Sequence, residues 1–132
     1  MKTLLMLAVL AGAALAWAAV ELFDGQSLAG WQVLGQAQWS VQDGEIVGSG
    51  EEDGFLATEA SYADFHLRAE FWVEAGTNSG VFIRCKNRDN IHPDTCYEFN
   101  IWDQHPRQQA RTGSIVFRAM PPLAHVETVG RW

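Results

Sequence analysis

Strict alternation of apolar and polar positions is the dominant pattern along this chain. From Asp64 to Glu74, Phe65, Leu67, Ala69, Phe71 and Val73 fall on one side, and His66, Arg68, Glu70, Trp72 and Glu74 on the other. That is the period-2 repeat of a strand with one buried face. An amphipathic helix is the competing reading, and the aromatic and β-branched content favours the strand. The repeat returns at Val81 to Arg84 and at Tyr97 to Trp102. In the latter it turns Tyr97, Phe99 and Ile101 toward a core and leaves Glu98, Asn100 and Trp102 on the other face. The stretch from Asn78 to Thr112 therefore reads as two paired strands joined by a polar loop, with Phe82 and Arg84 beside Glu98.

Turn residues divide the rest of the chain. Asp24-Gly25, Gly30, Gly35 and Asp43-Gly44 separate short apolar pieces at the spacing of an all-β domain. Trp39 to Val41 and Ile46-Val47 flank Asp43-Gly44, a strong local hairpin signal. Gly48 to Gly54 reads as a solvated acidic connection. Phe55 to Thr58 follows as a short strand and Ser114 to Arg118 as a further one. Beyond Pro121-Pro122 lies a weaker run, Ala124 to Val129. No helix-period segment occurs after the N-terminal residues, and no internal repeat is present.

Those N-terminal residues have the form of a secretory signal. Lys2 precedes an apolar run from Leu4 to Leu15, and Ala16-Trp17-Ala18 has the small-x-small cleavage pattern. Residues 1–18 are expected to be removed, leaving 19–132 as one domain with no integral membrane span, because a span needs about 20 apolar residues. An exported protein, periplasmic or extracellular, is the expectation. Export gives meaning to Cys85 and Cys96, which end one strand and begin the next. A disulfide at the base of the loop is expected, with unpaired cysteines as the alternative. A formal charge of -7 argues against nucleic acid or an anionic membrane surface as partner.

Laid side by side, the three alternating strands carry His66, Arg68, Glu70 and Trp72, then Phe82 and Arg84, then Glu98, Asn100 and Trp102 on their open face. Aromatic rings beside acids and amides suit a carbohydrate, the ring stacking on C–H faces and the polar groups taking hydroxyls. A cross-strand ion-pair ladder is the plainer explanation of Glu70, Arg84 and Glu98. Asp103 and His105 follow the last strand and extend the set of possible substrate contacts. With His92 they are also possible metal ligands; the set falls short of a dedicated site, and neither a metal nor another cofactor is expected. No phosphate-cradling glycine loop and no nucleophile elbow occurs.

The ordered set LFDGQSLAGW, WSVQDGEIVGSG, GFLATEASYADFHLRAEF, NSGVFIR, CYEFNIWDQ and TGSIV resembles the 3-keto-disaccharide hydrolase domain family. The resemblance implies a concanavalin-like jelly-roll sandwich of two antiparallel sheets. It also implies a longer domain, so the chain is expected to lack its last strands. In chemical terms it implies attack on a 3-keto-glycoside: removal of the C2 proton, elimination at C1 and hydration. Such a substrate requires a sugar oxidoreductase acting upstream. By position, Glu98 is the expected base and Arg84 the partner of the enolate, with Glu70 and His66 as reserve bases. Trp72 and Trp102 would form the ring platform and Asn100 a hydroxyl anchor, with Asp103 and His105 as further substrate contacts. Glycoside hydrolases of family 16 share the fold, but the amide at position 100 and the acid at 103 break their paired-acid strand pattern. A non-catalytic carbohydrate-binding module on the same face is the alternative function.

Overall fold

Hairpin and ladder formation follow the alternation over much of the chain, though not all of it. The computed structural model describes residues 19–50, 52–121 and 127–132; the expected signal peptide and residues 124–126 of the weak C-terminal run lie outside them. Among the described residues the fold is all-β, with six strands: β1 (Trp31–Gly35), β2 (Gln38–Gln42), β3 (Glu45–Ser49), β4 (Gly54–Thr58), β5 (Ser79–Ile83) and β6 (Tyr97–Ile101). One 3-10 turn spans Gln108–Ala110. The strands pair antiparallel, as a jelly roll requires, in three two-stranded ladders, β1–β4, β2–β3 and β5–β6. The chain divides into two compact units, Met1–Ser61 and Tyr62–Trp132.

In the first unit the Asp43-Gly44 pair forms the tight turn between β2 and β3, closing the register at Gln42↔Glu45. Both turn residues take positive φ, 51° and 84°. This is the left-handed pair whose twist matches that of the flanking strands, and Asp-Gly adopts it at low cost. β1 and β4 pair from Trp31↔Thr58 to Gly35↔Gly54. The Trp31 indole N–H donates to the Leu22 carbonyl at 2.6 Å and pins the segment before β1. Within that segment the Asp24 carboxylate accepts the N–H groups of Gln26 and Ser27 at 2.8 and 2.7 Å, so the LFDG stretch is a side-chain-closed turn.

In the second unit β5 and β6 pair with Val81 opposite Phe99 and Phe82 opposite Glu98. Residues 113–116 run along the other edge of β6: Asn100 N–H donates to Ser114 O and Val116 N–H to Glu98 O, both at 3.0 Å. The Cys85–Cys96 disulfide closes the loop between the strands. Among the described residues, all the buried positions, Cys96, Asn100, Ile101, Asp103 and Ser114, belong to this unit.

Three expectations are corrected. Asp64 to Trp72 forms no ladder among the described residues; Val73 alone makes an isolated parallel bridge, to Val129. Phe65 and Leu67, expected to point inward, are each 39% exposed. Alternation chooses faces for a strand, but a strand also needs a neighbour to take its N–H and C=O groups, and local pattern does not encode that neighbour. Ser114 to Arg118 is a turn rather than a strand, with Ile115 bridged to both Phe99 and Ala119 and with Phe117 at φ 63°. On β6 the burial phase differs from the apolar pattern: Ile101 is buried as expected, but Tyr97 and Phe99 are 43% and 40% exposed and Asn100 is buried. Buried hydrogen bonding accounts for Asn100, and the Tyr97 ring lies 4.6 Å beneath the Arg118 guanidinium, a cation–π contact at the surface.

Candidate functional site

The open-face residues of β6 differ in what each touches. Glu98 is half-buried, and its carboxylate lies against the backbone of Gly80 on β5. A methyl group at position 80 would stand 2.9 Å from Glu98 Oε1 and 3.1 Å from the Phe99 carbonyl. Only a residue without Cβ lets the carboxylate settle there. Burial pushes the Glu98 carboxyl above its ordinary value, and the positive field of His92, in the disulfide-closed loop, pulls it partly back. A carboxylate held above its usual range in a part-buried setting is suited to proton transfer.

Asn100, the next residue on that face, donates through Nδ2 to the Ala110 carbonyl. It thereby holds the Gln108–Ala110 turn against β6. Trp102 is half-buried, its ring edge-on to His105 with centroids 4.4 Å apart. His105 Nδ1 in turn accepts the Arg107 N–H at 3.0 Å. Asp103 is 8% exposed and accepts three hydrogen bonds from chain 25 and 26 residues away: Thr128 N–H, the Thr128 hydroxyl (3.0 Å) and Val129 N–H (3.1 Å). Burial alone would raise its pKa. The Thr112 hydroxyl beside it, followed by the Thr128 and Val129 donors, outweighs burial and holds it below the ordinary value.

The remaining expected residues make no hydrogen bond, ion pair or ring contact with this group among the described residues. Arg84 follows β5 with φ 54°, which turns it out of the strand alternation, and its guanidinium sits 5.5 Å from the Phe65 ring centroid. Among the described residues Arg84 makes no ion pair. His66, Glu70 and Trp72 are exposed, on the segment that lacks a ladder. Glu70 pairs with Arg68 at 2.7 Å, both side chains largely exposed. Such a pair is worth at most about 1 kcal/mol. The three-strand face expected from the sequence is therefore reduced to β5, β6 and the edge segment 113–116.

Sequence reasoning missed a cavity of about 410 Å³ beyond the end of β6, lined by Asp103, Gln104, Arg111, Glu127 and Val129. Its only sequence signal is the polar run from Asp103 to Thr112; nothing local marks residues 127–129 as the opposite wall. Among the described residues no group of three His, Cys, Asp or Glu side chains could hold a metal ion. None of the described helices is long and apolar enough to cross a membrane.

The described residues thus form an antiparallel β domain whose β6 carries a part-buried carboxylate and ends beside a half-buried indole, Trp102. The chain belongs to the 3-keto-alpha-glucoside-1,2-lyase-like domain family, which it matches over residues 18–132. It is also similar to a 3-keto-disaccharide hydrolase of Bacteroides thetaiotaomicron, with 32% identity over 75 residues, 48% of this chain and 26% of that protein. The match thus spans about a quarter of the relative's length. No solved structure matches the chain.

Proposed function

We propose that this domain cleaves the glycosidic bond of 3-keto-glycosides, with Glu98 as the base. The observation that carries the reading is the Glu98 carboxylate, seated against Gly80 with its pKa raised by burial, in a chain of the 3-keto-alpha-glucoside-1,2-lyase-like family. A ketone at C3 acidifies the C2 hydrogen. Glu98 takes that proton, and the electron pair becomes an enolate on the C3 oxygen. Collapse of the enolate forms the C1–C2 double bond and expels the C1 alkoxide, which leaves as an alcohol once protonated. Water then adds across C1–C2, placing hydroxyl on C1 and hydrogen on C2, so that the net change is hydrolysis.

Arg84, one residue beyond the β5–β6 ladder, is the proposed cation for the enolate oxygen; to serve, its guanidinium must swing from the Phe65 ring toward Glu98. Trp102 and Trp72 are the proposed ring platform, His105 and Asp103 further sugar contacts, and His66 and Glu70 the bases to test should Glu98 fail. Asn100 acts by holding the Gln108–Ala110 turn. The substrate implies an upstream oxidoreductase that makes the keto group. Export is the proposed setting, supported by the Cys85–Cys96 disulfide, since such bonds persist in oxidising compartments.

The test is proton NMR of the chain with a 3-keto-glucoside in deuterated buffer, beside Glu98→Gln. Deuterium uptake at C2 with aglycone release, lost in the variant, is the expected result. Ligand line-broadening without turnover in either protein would replace the enzyme reading with that of a binding module.

A further inference from the structure

The pairing of β5 with β6 slips by one residue just past the end of the ladder. Inside it the partners run Gly80↔Asn100, Phe82↔Glu98 and Ile83↔Tyr97, so the next pair would be Arg84 with Cys96. Instead Cys85 is bonded to Cys96, and Lys86 N–H donates to Thr95 O at 3.4 Å. Arg84 is therefore the extra residue of a β-bulge, in which two residues of one strand face one of the other. Its φ of 54° lies in the left-handed region that residues with a Cβ avoid.

Bulge and disulfide depend on each other through parity. Successive side chains of a strand point to opposite faces. In unbroken register Cys85 would fall opposite Thr95, on the face away from Cys96, and the two sulfurs could not meet. One inserted residue brings them together. Arg84 would instead stand opposite Cys96, on the Glu98 face and diagonal to Glu98, a separation of about 7–8 Å that a long side chain spans. As the bulge residue it lies against the Phe65 ring, 5.5 Å from its centroid. Gly80 and Phe82 on β5 and Val116 on the other edge bring no charge to Glu98; His92, in the loop that the disulfide closes, does.

We infer that the Cys85–Cys96 disulfide is a register lock: closed, it fixes the bulge that keeps the Arg84 guanidinium off the Glu98 carboxylate, and opened, it lets Arg84 rejoin the ladder and pair with Glu98. Cys85 and Cys96 are thus positioning residues that act on Glu98 through Arg84. The lock sets the resting place of Arg84; a swing from Phe65 to a bound enolate is a rotation of the side chain that leaves the bulge intact. Its use rests on the reading of Glu98 as base, because a standing ion pair would occupy that carboxylate and weaken it as a proton acceptor. Opening the lock takes a dithiol: two electrons and two protons pass to the cysteines, giving two thiols, and the reductant becomes a disulfide.

The experiment titrates the Glu98 carboxyl by carbon NMR in the full chain, without ligand, before and after reduction with dithiothreitol, in wild type and Arg84→Gln. Reduction should weaken the proton affinity of Glu98 about tenfold in the wild type, the effect of an opposite charge brought close, and not in Arg84→Gln. Loosening of the His92 loop acts on both proteins alike and in the other direction. A backbone NOE between Arg84 and Cys96 should appear in the reduced wild type. With the chain folded, an unmoved midpoint or an equal fall in Arg84→Gln overturns the lock. If the reduced chain unfolds, the thiol–disulfide equilibrium against glutathione decides. Arg84→Gly, at ease at positive φ, should then favour the disulfide about fivefold, and the β-branched Arg84→Val should disfavour it; equal equilibria in the three proteins overturn the lock. Neither measurement uses substrate, so failure of C2 exchange would sink the catalytic reading and leave the lock standing.

Discussion

The carboxylate of Glu98 on β6 rests against the backbone of Gly80 on β5, close enough that a Cβ at position 80 would lie 2.9 Å from Oε1 and 3.0 Å from Cγ. Gly80→Ala must therefore displace the carboxylate, and its methyl would also stand 3.1 Å from the Phe99 carbonyl. Misplacing a catalytic group by about 1 Å costs on the order of 100-fold in rate, whereas overpacking costs about 1–3 kcal/mol of stability. The expected outcome is a fall in C2 exchange of that order, far beyond what a melting temperature lowered by about 4–8 °C per kcal/mol lost would cause at a working temperature well below the transition. Equal activity in Gly80→Ala would show that Glu98 does not need this seat.

The raised pKa of Glu98 sets a pH dependence. As a base it must be ionised, so the acid limb of kcat/KM should lie higher than the ordinary glutamate value would put it. His92→Ala removes the field that opposes burial and should move that limb higher still. A pH–rate profile of the two proteins checks both statements. A His92→Ala limb at unchanged or lower pH counts against the pairing of these groups.

Asp103 predicts the opposite behaviour for stability. Its folded pKa lies below the ordinary value of 3.8, so its ionised form stabilises the fold above the unfolded pKa, and that contribution drains away as pH falls through the folded pKa. Asp103→Asn should cost about 1–3 kcal/mol near neutral pH through weakened charge-assisted bonds to Thr128 and Val129. It should also flatten the acid limb of the stability curve. Urea unfolding between about pH 2 and pH 7, on either side of the ordinary aspartate value, gives both quantities.

The disulfide closes a loop between positions 11 apart in the chain. In the chain-entropy account a loop of that size contributes about 3 kcal/mol. Cys85→Ala with Cys96→Ala, compared in urea with the wild type in oxidised and reduced form, should show a loss of that order. Cys96 is 1% exposed, so its replacement by Ala adds a packing cost that the reduced wild type separates from the loss of the cross-link.

Much of the fold was legible because its signals are local. The Asp43-Gly44 turn, the β5–β6 pair, β4 and the cysteine bridge each depend on residues near one another in sequence, where backbone preference and loop closure act directly. The ordered motifs from LFDGQSLAGW to TGSIV carried the family. The segment from Asp64 to Glu74 has the clearest alternation in the chain and forms no ladder among the described residues. Its pattern states which side chains share a side, and Arg68 and Glu70 do meet, but pattern supplies no partner strand.

The candidate site divides along the same line. Composition and alternation placed Glu98, Asn100 and Trp102 on one strand and named Arg84 beside it. Sequence could not show that Arg84 would take φ 54° and leave the face, or that Asn100 would be spent on the Ala110 carbonyl. The bond from Asp103 to Thr128 and Val129, and the cavity it walls, join residues some 25 positions apart. What the sequence determined by itself is the β character, the turns, the cross-link and the identity of the acids and rings. What only the tertiary structure decided is which of them are buried and which meet across the chain, because burial and long-range hydrogen bonding depend on chain segments that local pattern does not specify.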